Sequence, residues 1–224
     1  MPELIGLCGG SSSGKTTISN YLSPLLNNAC QISMDNYFIV NIKKDSETRE
    51  EYLRHHNFDT LESFNVDLFV KHLKELKKGA PIEMPIYNYA ESVYVGTKTI
   101  YPSKYILIDG ILLFTTQTLR DCFDLKIYID CNKDIRSSRR LKRDVIERGA
   151  NVDLIKHQLN KFVIPMHNIL IEPNKIFANI TFDNSASKTE RLFKSDISDL
   201  YNNIIRKFRE KLLLDGNIIE AQTL

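Results

Sequence analysis

The chain has no tryptophan and only four cysteines, and none of the four forms a C-x-x-C pair. Cys8, Cys30, Cys122 and Cys131 are widely spaced, and three of them sit in or beside apolar runs. That pattern excludes a disulfide framework and a thiolate metal knuckle, and it predicts reduced, mostly buried thiols. No apolar run approaches the ~20 residues of a membrane span. The opening "MPELIGLCGG" lacks a basic n-region and a long apolar core, so no signal peptide is expected. Charge of one sign is also missing. The formal net charge is +2, which calls for neither nucleic acid nor an anionic membrane as partner. These absences predict a soluble cytoplasmic protein. Its 224 residues suit one domain, 1–224, able to bury a core without staples.

What is present alternates. "LIGLC" (4–8), "CQISM" (30–34), "YILI" (105–108), "LKIYI" (125–129) and "IFANITF" (176–182) read as buried strands. Between them lie helical patterns at 16–26, 65–79, 135–149 and 196–214. In 65–79 Asn65 is a cap, Val66, Leu68, Phe69, Leu73 and Leu76 follow helical spacing, and Lys77, Lys78 and Gly79 close the helix. Continuous apolar strands alternating with helices predict an α/β fold, a parallel central sheet covered on both faces. One stretch stands apart. "MPIYNYAESVYVGTKTIY" (84–101) holds four of the ten tyrosines and alternates like a hairpin with little apolar bulk, so it is expected to project from the sheet.

"GGSSSGKT", Gly9–Thr16, fits G-x-x-x-x-G-K-[ST]. The first predicted strand precedes it and a helix follows, the context its mechanism requires. Gly9, Gly10, Ser11, Ser12, Ser13 and Gly14 turn backbone N–H groups onto phosphate oxygens. The helix N-terminus at Lys15, Thr16 and Thr17 adds favourable partial charge. Lys15 reaches the terminal phosphates, and the Thr16 hydroxyl is a ligand for Mg²⁺.

A phosphate loop does not say what becomes of the nucleotide. "CNKD" (131–134) and "SASK" (185–188) lie where guanine-reading loops would, but guanine reading wants N-K-x-D and here Asp134 directly follows Lys133. "LIDGIL" also lacks a D-x-x-G switch. A kinase instead needs a carboxylate near the acceptor hydroxyl, magnesium ligands, and cations around the transferred group. Asp35, Asp109 and Asp130 end predicted strands, at the sheet edge where ligands bind in such folds. Each alone fits a turn or cap, and Asp130 is left in that role. Arg136, Arg139, Arg140, Arg143 and Arg148 fall within thirteen residues, 136–148, that have Lys142 as their only lysine and open a longer basic segment. Arginine suits phosphate oxygens better than lysine does. The segment, about 136–158, is expected to be a lid that excludes water.

Together "GLCGGSSSGKTT", "ISMDNYF", "NFDTLESF", "PIYNY", "DGILLF", "RSSRRLKRDVIERG" and "FVIPMHN" resemble the uridine kinases (uridine–cytidine kinases) in order and spacing, from about Leu4 to Phe182. The resemblance implies a P-loop kinase three-layer sandwich. It implies transfer of the γ-phosphoryl of ATP or GTP to the 5′-hydroxyl of uridine or cytidine, with Mg²⁺. Asp35 matches the aspartate that orients or deprotonates that hydroxyl and joins the magnesium shell. Asp109 stands where the family usually has a glutamate near the metal. Asp59, with Phe58 beside it, matches the ribose-binding carboxylate; the residues alone read Asp59 as a helix cap, with Glu62 completing a capping box. Tyr87 matches a base-contacting aromatic, with Tyr89 near it. Arg140 matches a substrate-side arginine, Arg143 and Arg148 match phosphate-side ones, and Gln158 a glutamine near the base. The terminal helix is a candidate homo-oligomer surface, as in the family.

The departures from the family pattern fall on groups that read the base. Ser92 stands at a histidine, Tyr94 at an arginine, Ala150 at a base-facing arginine, and Phe38 at a tyrosine. They leave room for a different acceptor on the same machinery, such as another nucleoside, a ribose-containing vitamin or a phosphosugar. A nucleotide-binding module without turnover is a third reading, at odds with the joint presence of Lys15, Thr16, Asp35 and the lid arginines. His55 and His56 are adjacent and have no companion ligands, and His72, His157 and His167 occupy separate helical positions, so none of them is read as metal-binding.

Overall fold

The computed structural model describes residues 1–39, 49–88, 91–185 and 190–214. Tyr89 and most of "SASK" lie outside the described residues. Strand β1 (Glu3–Cys8) is followed by α1 (Lys15–Leu25), β2 (Cys30–Ser33) and α2 (Arg49–His55). Next come α3 (Val66–Lys77), β3 (Ile82–Asn88), β4 (Val93–Ile100), β5 (Tyr105–Gly110) and the short α4 (Gln117–Arg120). Then β6 (Leu125–Asp130), α5 (Lys133–Ile146), α6 (Val152–Gln158), α7 (Ile164–Met166), β7 (Ile180–Asp183) and α8 (Glu190–Leu214) complete the order.

Five strands form a sheet in the order β2-β5-β1-β6-β7, and every pairing is parallel. Successive strand residues face opposite layers. Leu4, Ile106 and Ile108 pack with Phe69, Leu73 and Leu76 of α3. Ile5, Leu7 and Leu107 pack with Ile18 and Leu22 of α1 and with Ile197, Leu200 and Phe208 of α8. This is the predicted α/β sandwich of three layers. Asn65 caps α3 as expected, its Oδ1 accepting from Leu68 N at 3.1 Å. Among the described residues no helix is long and apolar enough to cross a membrane.

One expectation needs correction. The strand expected at 176–182 begins at Ile180. Glu172–Phe177, opened by Pro173, forms a 3₁₀ turn instead, and Ile176 and Phe177 lie at the surface. Asn179 then fastens the chain to β6, accepting from Lys126 N at 2.9 Å and donating to Lys126 O at 2.8 Å. The hairpin forms a two-stranded sheet of its own, apart from the five-stranded one, as expected. Its strands span 82–100, and Ile82, Met84 and Ile100 belong to the same core as α3. After α6, residues 159–171 wind through two π-helical turns on either side of α7. Pro165 accounts for a widened turn there, since it has no N–H for the helical ladder.

Opposite the loop-bearing edge, a charge cluster ties three elements together. Asp124 accepts from Leu4 N at 2.9 Å and pairs with Lys77 of α3 and Lys211 of α8, the latter at 2.9 Å. Glu3 meets the same two lysines at 3.5 and 3.3 Å. Burial works to raise the Asp124 pKa, but hydrogen bonds from Lys77, the Leu4 backbone and Lys211 outweigh it and hold the carboxyl below 3.8. A depressed carboxyl stabilises the fold above its unfolded value and stops doing so as pH falls through the folded one. Asp124→Asn should therefore cost roughly 2 kcal/mol near neutral pH, read by thermal denaturation, and the deficit should shrink below 3.8. An equal deficit at every pH would count against this account.

Candidate active site

The carboxyl ends of the parallel strands converge. β1 runs into the phosphate loop, β2 into a 3₁₀ turn (Met34–Tyr37) capped by Ser33 and carrying Asp35, and β5 carries Asp109. Gly14 has φ +100, and a Cβ there would lie 2.4 Å from Asn184 Nδ2, so only glycine fits. Asn184, just past β7, braces the loop by donating to Ser13 O at 2.8 Å. Lys15 is folded beneath the loop, donating to Gly9 O at 2.9 Å and Gly10 O at 3.0 Å. Burial lowers its pKa, and the Asp109 and Asp35 charges pull the other way. Ser11, Ser12, Gly14, Lys15, Thr16 and Thr17 line a cavity of about 940 Å³, whereas Ser13 is fully buried under the loop.

Asp35 and Asp109 line that same cavity. Thr16 Oγ1 donates to Asp109 Oδ2 at 3.2 Å. Burial pushes the Asp109 carboxyl up to about 6, and the Asp35 charge adds to the rise, ahead of the opposing pull of Lys15. Two carboxylates beside a hydroxyl make an all-oxygen donor set suited to a hard divalent cation. Three protein oxygens are also few enough for Mg²⁺, which keeps waters and takes substrate phosphates. The residues fit the metal.

The basic helix is sorted by face. Arg139, Arg143 and Arg148 look into the large cavity. Arg140, Arg143 and Arg148 look into a second one of about 310 Å³, and Arg140 donates to Ser11 Oγ at 2.9 Å. Arg136 faces neither cavity. It is buried, with Nε donating to Cys131 O at 2.9 Å. Asp144 was not foreseen. Nearly buried, it pairs with Arg140 at 3.3 Å, Arg143 at 2.8 Å and Arg148 at 3.2 Å. Its signal was spacing, four residues from Arg140 and four from Arg148, which in sequence looks like an ordinary surface pair.

The smaller cavity is aromatic on one side. Phe38 stacks on Phe64 with centroids 4.2 Å apart and meets Tyr87 at 5.3 Å and Phe58 at 5.8 Å. Asn36 joins hairpin to catalytic turn by accepting from Tyr87 N at 3.3 Å. Phe58, Asp59, Tyr87, Ser92, Ala150 and Gln158 all line this space. Asp59 is not a cap. It is buried, its Oδ2 has no partner, and burial raises its pKa against the pull of Arg140. Ser92 is buried at φ +56 in the hairpin turn, while Tyr94 is half exposed and Tyr101 more so, both away from the cavity. Tyr89 lies outside the described residues.

The remaining fragments have structural uses. Asn132 of "CNKD" caps α5, its Oδ1 accepting from Asp134 N at 2.9 Å. Asp130 pairs with Lys175. His72 Nδ1 meets Tyr37 OH at 2.9 Å, and His56 stacks on Tyr52. His167 is buried below the phosphate loop, 3.2 Å from Glu172, and burial with Arg136 nearby lowers its pKa to about 4. Among the described residues no cluster of three His, Cys, Asp or Glu forms a metal site.

Comparison with known proteins agrees with this arrangement. The chain is 39% identical over 182 residues to "Uridine-cytidine kinase A" of Dictyostelium discoideum, covering 80% of this chain and 35% of that protein, so it spans about a third of that relative's length. It is 34% identical over 194 residues to "Uridine kinase" of Borreliella burgdorferi (strain ZS7), covering 86% of this chain and 92% of the relative. A solved structure described as a "Possible Uridine Kinase from Bacillus stearothermophilus" shares the fold with TM-score 0.55 and 19% identity, over 81% of this chain and 89% of the other. The "Phosphoribulokinase / Uridine kinase family" model matches residues 4–189, most of the chain, and the protein belongs to that family.

Proposed function

We propose that this protein transfers the γ-phosphoryl group of ATP or GTP to the 5′-hydroxyl of uridine or cytidine, giving UMP or CMP. The observation that carries the reading is the junction of the two cavities. Asp35, Arg143, Arg148, Ser11 and Ile111 line both. A nucleoside triphosphate in the larger cavity would place its terminal phosphate against the mouth of the smaller one. An acceptor in the smaller would present its hydroxyl at Asp35.

Each residue then has a role of position or charge, as phosphoryl transfer demands. The loop backbone and Lys15 hold the phosphates. Arg143 and Arg148 face the charge that spreads over the transferred group. Asp35 accepts the hydroxyl proton or aligns the oxygen. Asp59 and Arg140 supply an acceptor and a donor for ribose hydroxyls, and an unpartnered buried carboxylate oxygen is otherwise costly. Thr16, Asp35 and Asp109 would hold Mg²⁺, which when bound neutralises phosphate charge. The same reading makes 1–224 one kinase domain working in the cytoplasm in pyrimidine salvage, with α8 available for self-association and no role for nucleic acid or membrane.

An acceptor panel with ATP tests the substrate. Turnover of uridine or cytidine is expected; turnover of another riboside or a phosphosugar alone would replace this reading. Asp35→Asn should lower kcat by about 10²–10⁴-fold with an unfolding temperature close to wild type, and near-normal turnover would sink its assigned role. Asp144→Asn should lower kcat roughly 100-fold, because three arginines lose their common anchor. Unchanged kcat in that variant would mean the arginines are set by something else.

A further inference from the structure

The wall of the smaller cavity formed by α2 and α6 has a fixed hydrogen-bonding polarity. The last turn of α2 leaves carbonyls without helical partners. Two side chains at the end of α6 satisfy them: His157 Nε2 meets Arg54 O at 3.0 Å, and Gln158 Nε2 donates to Leu53 O at 2.9 Å. A carbonyl accepts only from the amide nitrogen, so this bond fixes which way the Gln158 amide points. The nitrogen is spent on α2. The oxygen, Oε1, has no protein partner among the described residues and belongs to a side chain that lines the cavity.

The neighbouring polar groups on this wall agree. Glu50 of α2 also lines the cavity and adds carboxylate oxygens, one of which, Oε1, pairs with Arg54 at 2.8 Å. Asn151 spends its Oδ1 on Asp153 N at 2.8 Å in capping α6, which leaves its amide nitrogen as a donor. Ala150 contributes no polar group. This part of the wall therefore offers two kinds of acceptor and one donor, and the long donors of the cavity, Arg140, Arg143 and Arg148, are paired with Asp144.

We infer that Gln158, oriented by the Leu53 carbonyl, makes this cavity favour a pyrimidine nucleoside bearing an exocyclic amino group, so that cytidine is preferred to uridine. The inference rests on the nucleoside kinase reading above. An amino group presents two hydrogens to Gln158 Oε1 and Glu50, and the adjoining ring nitrogen and carbonyl of cytosine accept from Asn151. Uracil presents a single N–H flanked by two carbonyl oxygens, so one oxygen must face an acceptor. An unmatched polar edge inside a hydrogen-bonding site is where such sites discriminate most strongly.

The test is the ratio of kcat/KM for cytidine to that for uridine. Wild type should favour cytidine by about tenfold or more, with the riboside of pyrimidin-2-one, which has neither the amino group nor the second oxygen, in between. Gln158→Met should bring the ratio toward one. Loosening α2 alone would lower both substrates together and leave the ratio unmoved, so the ratio separates reading from scaffolding. Equal or better use of uridine by wild type would overturn the inference and leave the kinase reading intact. A cytidine preference that survives in Gln158→Met would overturn the role of Gln158. Turnover of neither nucleoside would remove the kinase reading, and this inference with it.

Discussion

Strand β1 is hydrogen-bonded in parallel on both edges, and the arrangement of the site follows from that. Parallel strands must all return by crossovers, so their carboxyl ends gather on one side of the sheet. Here β1 delivers the phosphate loop, β2 delivers Asp35, β5 delivers Asp109, β6 leads into the arginine helix, and β7 delivers Asn184. Residues more than a hundred positions apart meet because they stand at equivalent points on neighbouring strands. Ser33 pairs in register with Asp109, and Cys8 with Gly110, which puts loop and carboxylates side by side before any side chain is chosen. The other edge of the sheet carries the Asp124 cluster, which locks α3 and α8 to the start of β1 from opposite faces.

Once the strand ends have set positions, charge decides the rest. Lys15 and the lid arginines cannot face one another uncompensated in a partly buried cleft. Asp144 answers this for Arg140, Arg143 and Arg148, and backbone carbonyls answer it for Lys15. These are partners that phosphate oxygens can replace. The carboxylates show the converse. Asp109 is pushed up to about 6, and Asp59 keeps an oxygen without a partner. On the proposed reading, the one is answered by a cation and the other by hydroxyls.

Much of this was legible in the sequence where local chemistry and fold agree. Gly9–Thr16 names its own context, and the apolar runs at 4–8, 105–108 and 125–129 lie within strands. The misses have physical reasons. "IFANITF" looks like a strand because Ile176 and Phe177 are apolar, yet both are at the surface and Asn179 sets where pairing with β6 begins. The stretch 84–101 showed little apolar bulk, but Ile82, Met84 and Ile100 join a core supplied from α3, which hairpin sequence alone cannot reveal. Asp144 hid as a surface charge because its third partner and its burial depend on the lid's fold. Asp59 looked like a cap, since burial rather than neighbouring residues gives it its character.

The acceptor cavity shows why the departures from the family pattern are coherent rather than scattered. Phe38 in place of a tyrosine completes a stack with Phe64 and contacts with Phe58 and Tyr87, so this side of the cavity is built of packed rings. Ser92 occupies a left-handed turn where it is already buried, and Ala150 has no reach. On the proposed reading, discrimination comes from the opposite wall, where α2 and α6 meet. There the polar groups have been partly consumed by helix ends: Gln158 on the Leu53 carbonyl, Asn151 on its own cap. Helix capping, which is a matter of folding, thereby dictates which hydrogen-bonding atoms remain to face a substrate.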